Sequence, residues 1–159
     1  MAPLPFIDEL SERVRAPADV TWAPLVNVLR RRLAGATRFA RLLRCDPVEG
    51  TAEFAGRAGE AIPGFRVAES EAGRRLVLRG RHRFADYSLT FLLDGELVRA
   101  RTHAAFPGLA GRIYRTAVIG SGGHRRITRS LLRRIAREAG SVPEVARTTG
   151  PEKKKGEAG

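Results

Sequence analysis

The stretch Arg74–Phe106, RRLVLRGRHRFADYSLTFLLDGELVRARTHAAF, predicts three consecutive antiparallel β-strands. Its first part alternates, with apolar residues such as Leu76 and Leu78 on one side and arginines on the other. Side chains alternate in this way because successive residues of a strand point to opposite faces of the sheet. Asp94-Gly95 is a strong signal for a tight hairpin turn between the last two strands. One apolar face is therefore expected to run across all three strands.

A long amphipathic helix is predicted to follow, from Gly108 to Glu138. Apolar residues recur there at helical spacing, while arginines occupy the other side. Gly120-Ser121-Gly122-Gly123 should kink or briefly break this helix, since each glycine costs about 1 kcal/mol relative to alanine. The predicted buried stripe consists of Leu109, Ile113, Ala117, His124, Ile127, Leu131, Leu132 and Ile135.

The first half of the chain supplies the remaining elements. We predict a first strand over 6–16, a helix opening at Pro17 or Asp19, a short helix over 37–44, a Gly- and Pro-rich loop over 46–64 and a strand over 65–71. The fold class is therefore α+β, with a curved antiparallel sheet around a long C-terminal helix. We expect one domain over 1–139 and a disordered polar tail over 140–159.

Composition limits the function classes. The net charge is +12, and because the only lysines are Lys153–Lys155, the other 26 of the 29 basic residues are arginines. Such Arg, Ala and Gly richness is also typical of GC-rich coding sequences, so charge alone does not favour a nucleic-acid partner. An anionic membrane surface is an open alternative. The N-terminus lacks a secretory signal and no stretch is long enough to span a bilayer, which favours a cytoplasmic location.

The single cysteine and the three histidines indicate no metal site. Cys45 cannot form an internal disulfide, and we predict that it is a small buried apolar residue. His82, His103 and His124 lie on separate elements without the spacing of metal ligands. We therefore expect neither a metal nor another cofactor.

Three segments carry a resemblance to a known family. They are ELSERVRAPADVTWAPLVNVL (9–29), GFRVAESEAGRRLVLRGRHRF (64–84) and FPGLAGRIYRTAVIGSGGHRRITRSLLRRI (106–135). Together they resemble the START-like superfamily, also called SRPBCC or birch-pollen-allergen-like, in a largely actinobacterial branch. The resemblance spans about residues 6–137. It implies a helix-grip fold with a cavity between the sheet and the C-terminal helix. Family members include lipid and hormone carriers, polyketide aromatases and cyclases, oxygenase domains and stress-response co-chaperones.

Two residues are candidates for acid–base chemistry. His82 shares the inward face with Leu78, so its imidazole is expected at the cavity, where it could transfer a proton or bind a ligand carbonyl. Glu69 shares parity with Val67, and a carboxylate in an apolar cavity would have a raised pKa. A local bulge would instead turn Glu69 into solvent. The sequence is compatible with both placements of Glu69.

The predicted ligand-binding residues are those that face inward on the strands, with two positions from the helix. Tyr87 and Thr102 offer hydroxyls that could orient a ligand or could pair with each other or with His82. The full set is Phe65, Val67, Leu76, Leu78, His82, Tyr87, Leu89, Phe91, Val98, Ala100, Thr102, Ile113 and Ala117.

Three hypotheses of function follow. The first is a protein that binds a small or medium hydrophobic molecule, such as a lipid, polyketide or isoprenoid, between sheet and helix. The second is a cyclase-, dehydratase- or hydrolase-like enzyme that uses His82, alone or together with Glu69. The third is a nucleic-acid or anionic-membrane binder that uses the arginine rows on the outer strand face and the helix.

Overall fold

The computed structural model describes residues 3–143. Its centre is a six-stranded antiparallel sheet with the strand order β1-β6-β5-β4-β3-β2. The strands are β1 (Phe6–Arg13), β2 (Ala61–Ile62), β3 (Phe65–Glu71), β4 (Arg75–His82), β5 (Ala85–Asp94) and β6 (Leu97–Ala105). Successive strands from β2 to β6 pair with their sequence neighbours, and β1 closes the far edge beside β6.

Four α-helices cover one face of this sheet or its ends. They are α1 (Ala18–Ala34), α2 (Thr37–Leu42), α3 (Gly108–Arg115) and α4 (Gly123–Gly140), with a π-helical turn at Thr116–Gly120 between the last two. This confirms the predicted α+β helix-grip architecture. The first strand ends at Arg13 rather than Ala16, although Val14 and Ala16 are buried. Apart from its first four residues, the predicted tail over 140–159 lies outside the described residues.

The core lies between the inner face of the sheet and the helices α1 and α4. Leu76, Leu78 and Phe91 have no solvent exposure there. They form one cluster with apolar residues of both helices, among them Leu29 and Ile135. The predicted alternation of β4, β5 and β6 is confirmed, because the residues of these strands that belong to the cluster are spaced two apart. They are Leu76 and Leu78, then Leu89, Phe91 and Leu93, then Val98 and Ala100.

The C-terminal helical segment is divided at the predicted glycines. The π-helical turn and the left-handed Gly122 (φ +74°) separate α3 from α4. Helical phase is not carried across such a break, because a π turn holds an extra residue. The predicted stripe is therefore wrong for Leu109, Ile113 and Ile127, which are 70%, 64% and 67% exposed, and Ala117 is exposed as well.

The side of α3 that meets the sheet is marked by Gly111. A Cβ at this position would lie 2.8 Å from the carbonyl carbon of Phe106 and 3.0 Å from the backbone oxygen of Phe84. The helix thus packs directly on backbone, which requires glycine. Its apolar residues Leu109 and Ile113 are left on the solvent side. Within residues 3–143, no helix has both the length and the apolarity needed to cross a bilayer.

Candidate functional site

Six aromatic rings gather where β4 ends and β5 begins, beneath α3. All six are half-buried, in contrast to the fully buried core at the other end of the same sheet face. Tyr114 of α3 contacts His82 and Phe84, with ring centroids 4.9 Å and 5.2 Å apart. Edge-to-face and offset contacts of this kind are favourable for aromatic rings. We call Phe65, His82, Phe84, Tyr87, Phe106 and Tyr114 the aromatic cluster.

His82 is held in one orientation by the backbone. The N–H of Phe84 donates a hydrogen bond to its Nδ1 at 3.1 Å. Because Nδ1 accepts, the neutral ring carries its proton on Nε2. Burial lowers the pKa of His82 below its ordinary value of 6.5, an effect that the negative charge of Asp86 partly opposes. The neutral ring therefore carries an Nε2–H that can donate a hydrogen bond.

This lowered pKa gives a pH dependence with a definite sign. The unfolded chain binds a proton near pH 6.5 that folded His82 resists, so stability falls as the pH drops below about 6.5, down to the lower pKa of the folded state. We expect His82→Gln to make the loss of stability between about pH 7.5 and about pH 5.5 shallower than in the unmodified protein. Urea unfolding at both pH values measures this. An unchanged slope in the variant would show that His82 titrates alike in both states.

Two features hold Tyr87 in place. Its hydroxyl donates a hydrogen bond, and its ring packs against Gly80, which has no side chain. The hydroxyl donates to the carbonyl oxygen of Gly64 at 2.7 Å and lies 3.9 Å from the Sγ of Cys45. Burial raises the pKa of both Tyr87 and Cys45. Tyr87 therefore stays neutral and its proton is already committed, so it can only accept a hydrogen bond from a ligand. The prediction of Cys45 as a small buried residue is confirmed.

Thr102 pairs with neither Tyr87 nor His82 but with His124. Its Oγ1 lies 3.0 Å from Nε2 of that histidine, which sits in the first turn of α4 and is largely buried. His103, by contrast, lies on the outer face, where its ring meets Phe6 at a centroid distance of 5.7 Å. The placement of His124 agrees with its position in the predicted buried stripe.

Glu69 lies on the outer face. A register shift between Val67 and Glu69 places Glu69 opposite Val77, an outward position of β4. Its carboxylate is about half exposed and lies 3.2 Å from a guanidinium nitrogen of Arg75. The bulge is therefore the correct interpretation, and Glu69 does not share the inner face with His82.

The predicted ligand-binding residues fall into three groups. Phe65, His82 and Tyr87 are half-buried in the aromatic cluster, whereas Ile113 and Ala117 are exposed on the helical segment. The third group is buried on the inner face and comprises Val67, Leu76, Leu78, Leu89, Phe91, Val98, Ala100 and Thr102.

Within residues 3–143, no group of three or more His, Cys, Asp or Glu side chains could hold a metal ion.

Two residues of the site were missed by sequence reasoning. Tyr114 lies outside the predicted stripe, which runs through Ile113, although it lies three residues after Gly111 on the same side of α3. Asp8 was overlooked although it has the parity of Leu10 in β1, which places both on the inner face. Asp8 is largely buried, with 14% of its side chain exposed.

The fold is similar to that of several solved structures. Mll3558 from Rhizobium loti aligns over 87% of this chain and 98% of its own length, with 14% identity and a TM-score of 0.50. A conserved protein from Geobacillus kaustophilus aligns over 82% of this chain and 93% of its own, with 12% identity and a TM-score of 0.51. The di-domain ARO/CYC protein BexL from the BE-7585A biosynthetic pathway aligns over 82% and 45%, with 17% identity and a TM-score of 0.48.

No family model and no curated protein sequence matches the chain. At such low identities, the likeness to the first two solved structures shows the fold alone and assigns neither substrate nor reaction. The chain therefore adopts the α+β helix-grip fold that its sequence resemblance predicts.

Proposed function

We propose that this protein binds a small or medium hydrophobic molecule at the half-buried end of the inner sheet face. The observation that carries the proposal is the aromatic cluster, whose six rings are only partly covered while the rest of that face is closed by α1 and α4. Partly covered rings still have apolar surface to bury. A ligand that removes about 200 Å² of it from water would gain about 5 kcal/mol before the costs of association.

The cover over this end supports the proposal. Tyr114 reaches the cluster from α3, and α3 is joined to α4 through the π-helical turn and the left-handed Gly122. Such interruptions of a helix are places where backbone can move, and π turns are frequent at functional sites. Movement of α3 would uncover the rings without disturbing the core around Ile135.

The polar groups of the cluster favour binding over proton transfer. With Nδ1 occupied by the backbone N–H of Phe84, His82 presents a proton rather than a lone pair to a ligand. With Glu69 on the outer face, no carboxylate of the predicted pair assists it. In this state His82 acts as a hydrogen-bond donor that orients a ligand oxygen, and the enzyme hypothesis loses its base.

Replacing Tyr114 by alanine tests this proposal. We expect the Kd for 2-methoxynaphthalene, measured by equilibrium dialysis, to rise about tenfold, since removing an aromatic ring and the apolar area that it buries costs about 1–2 kcal/mol. Phe39→Ala is the matched control, because Phe39 is an exposed aromatic residue on α2 and should leave the Kd within about twofold. Equal Kd values in the two variants, or no binding by the unmodified protein, would contradict the proposal.

A second candidate function is the binding of an anionic surface by α4. Three arginines of the strands pair with carboxylates: Arg101 with Glu9 at 2.7 Å, Arg99 with Asp94 at 3.5 Å and Arg75 with Glu69 at 3.2 Å. The solvent side of α4 is different, because within residues 3–143 its arginines make no ion pair. Five of them line a shallow groove together with Ser130: Arg125, Arg126, Arg129, Arg133 and Arg137.

A further inference from the structure

We propose that Asp8, Thr102 and His124 form a recognition point for a ligand hydroxyl at the β1 edge of the inner face. We call these three residues the polar corner. The inference rests on the proposed function, and it adds the ligand class: an apolar alcohol or phenol rather than a pure hydrocarbon, ester or ether.

Three elements bring the polar corner together. Asp8 of β1 lies opposite Thr102 of β6 in the sheet register. His124, in the first turn of α4, lies close to both residues. The Nε2 atom of His124 lies 3.0 Å from the Oγ1 of Thr102 and 3.4 Å from the Oδ1 of Asp8. Both partners thus compete for one ring nitrogen, which can supply at most one proton.

This competition leaves the Asp8 carboxylate short of donors. Its Oδ1 is buried and has no hydrogen bond from any of residues 3–143, even though His124 is near. A buried carboxylate oxygen accepts two hydrogen bonds readily and costs free energy when it has none. A hydroxyl from outside the chain would supply the missing donor. An ammonium group would have to lose much more hydration to enter the same apolar surroundings, so a neutral donor is favoured.

The polar corner and the aromatic cluster lie within reach of one small ligand. Thr102 is paired with Leu89 of β5, and Tyr87 is two residues along that strand on the same face. Diagonal neighbours of this kind are about 7–8 Å apart. A fused aromatic ring could therefore rest on Leu89 and Tyr87 while its hydroxyl reaches Asp8. Thr128, whose Oγ1 donates to the carbonyl oxygen of His124 at 3.0 Å, steadies the turn of α4 that carries the histidine.

A purely structural ion pair between Asp8 and His124 is the competing explanation. Such a pair would tie β1 to α4, and removing it would change stability without regard to the ligand. The two explanations predict different results for ligands with and without a hydroxyl. Only a recognition point makes the effect of Asp8→Asn depend on whether the ligand carries a hydroxyl.

The test compares 2-naphthol with 2-methoxynaphthalene, which differ in that single donor. We expect Asp8→Asn to raise the Kd for 2-naphthol about tenfold, since a hydrogen bond to a charged group is worth about 1.5–3 kcal/mol. The Kd for 2-methoxynaphthalene should stay within about twofold. Glu9→Gln is the matched control, because Glu9 is the next residue along β1 and pairs with Arg101 outside the inner face. It should leave both Kd values unchanged, and Thr102→Val repeats the test from the second side of the corner.

Each outcome decides between the explanations. An equal change for the two compounds in Asp8→Asn, or no change for either, would overturn the polar corner while leaving hydrophobic binding intact. If the unmodified protein binds neither compound, the proposed function fails, and the polar corner fails with it. Loss of 2-naphthol affinity alone, in both Asp8→Asn and Thr102→Val, is the result that we predict.

Discussion

Replacing Ile135 by alanine is expected to lower the free energy of unfolding by about 3 kcal/mol, whereas Ile127→Ala should change it by less than about 0.5 kcal/mol. The two residues lie on the same helix and undergo the same substitution. Ile135 has no solvent exposure within the core, while Ile127 is 67% exposed. Only Ile135→Ala therefore leaves a cavity and loses transfer free energy.

Urea unfolding of the two variants measures this difference directly. For a domain of this size, about 3 kcal/mol corresponds to a fall in Tm of about 6–12 °C. Similar losses for both variants would mean that α4 is rotated toward the phase drawn from the sequence, with Ile127 facing the sheet. That result would contradict the described packing of α4 against the sheet.

Gly80→Ala is the second large effect that we expect, with a loss of about 1–3 kcal/mol in the free energy of unfolding. A Cβ at Gly80 would lie 2.0 Å from the carbonyl oxygen of Gly64 and 2.7 Å from the ring of Tyr87. Neither the carbonyl nor the ring can yield easily, because the Tyr87 hydroxyl is bonded to that same carbonyl. The new methyl group would have to separate them, and the aromatic cluster would lose its fixed tyrosine.

Gly35→Ala is the control for Gly80→Ala. Gly35 ends α1 with a right-handed backbone, and nothing lies within 4 Å of its added Cβ. Alanine there should be neutral or slightly stabilising, because it reduces the conformational freedom of the unfolded chain. Thermal unfolding of both variants, together with the 2-methoxynaphthalene Kd, tests the pair. A Gly80→Ala protein with unchanged Tm and Kd would contradict the described packing of Tyr87.

The sheet was predictable from the sequence because its signal is local. The alternation around Leu76 and Leu78, together with the Asp94-Gly95 turn, determines which residues face inward once one face is known. The same reasoning placed His82 and Thr102 correctly on the inner face. Strand periodicity therefore located most of the surface on which a ligand would rest.

The helical cover was less predictable because its phase depends on tertiary contacts. The glycines at 120–123 indicated a break, but only the close approach of Gly111 to the backbone of Phe106 determines which side of α3 faces the sheet. Likewise, a bulge after Val67 reversed Glu69, and bulges leave little trace in a single sequence. The candidate site includes Tyr114 of α3 as well as residues of the strands, so strand alternation alone could not predict all of it.

The most direct test of hydrophobic binding at the inner face uses the three histidines as probes within one protein. Ring resonances of His82, His103 and His124 are followed by nuclear magnetic resonance while 2-naphthol is added. We predict that the signals of His82 and His124 shift together and saturate, while His103, on the outer face, stays unchanged. A shift confined to His103, or no shift in any of the three, would contradict a ligand site between the sheet and its C-terminal helices.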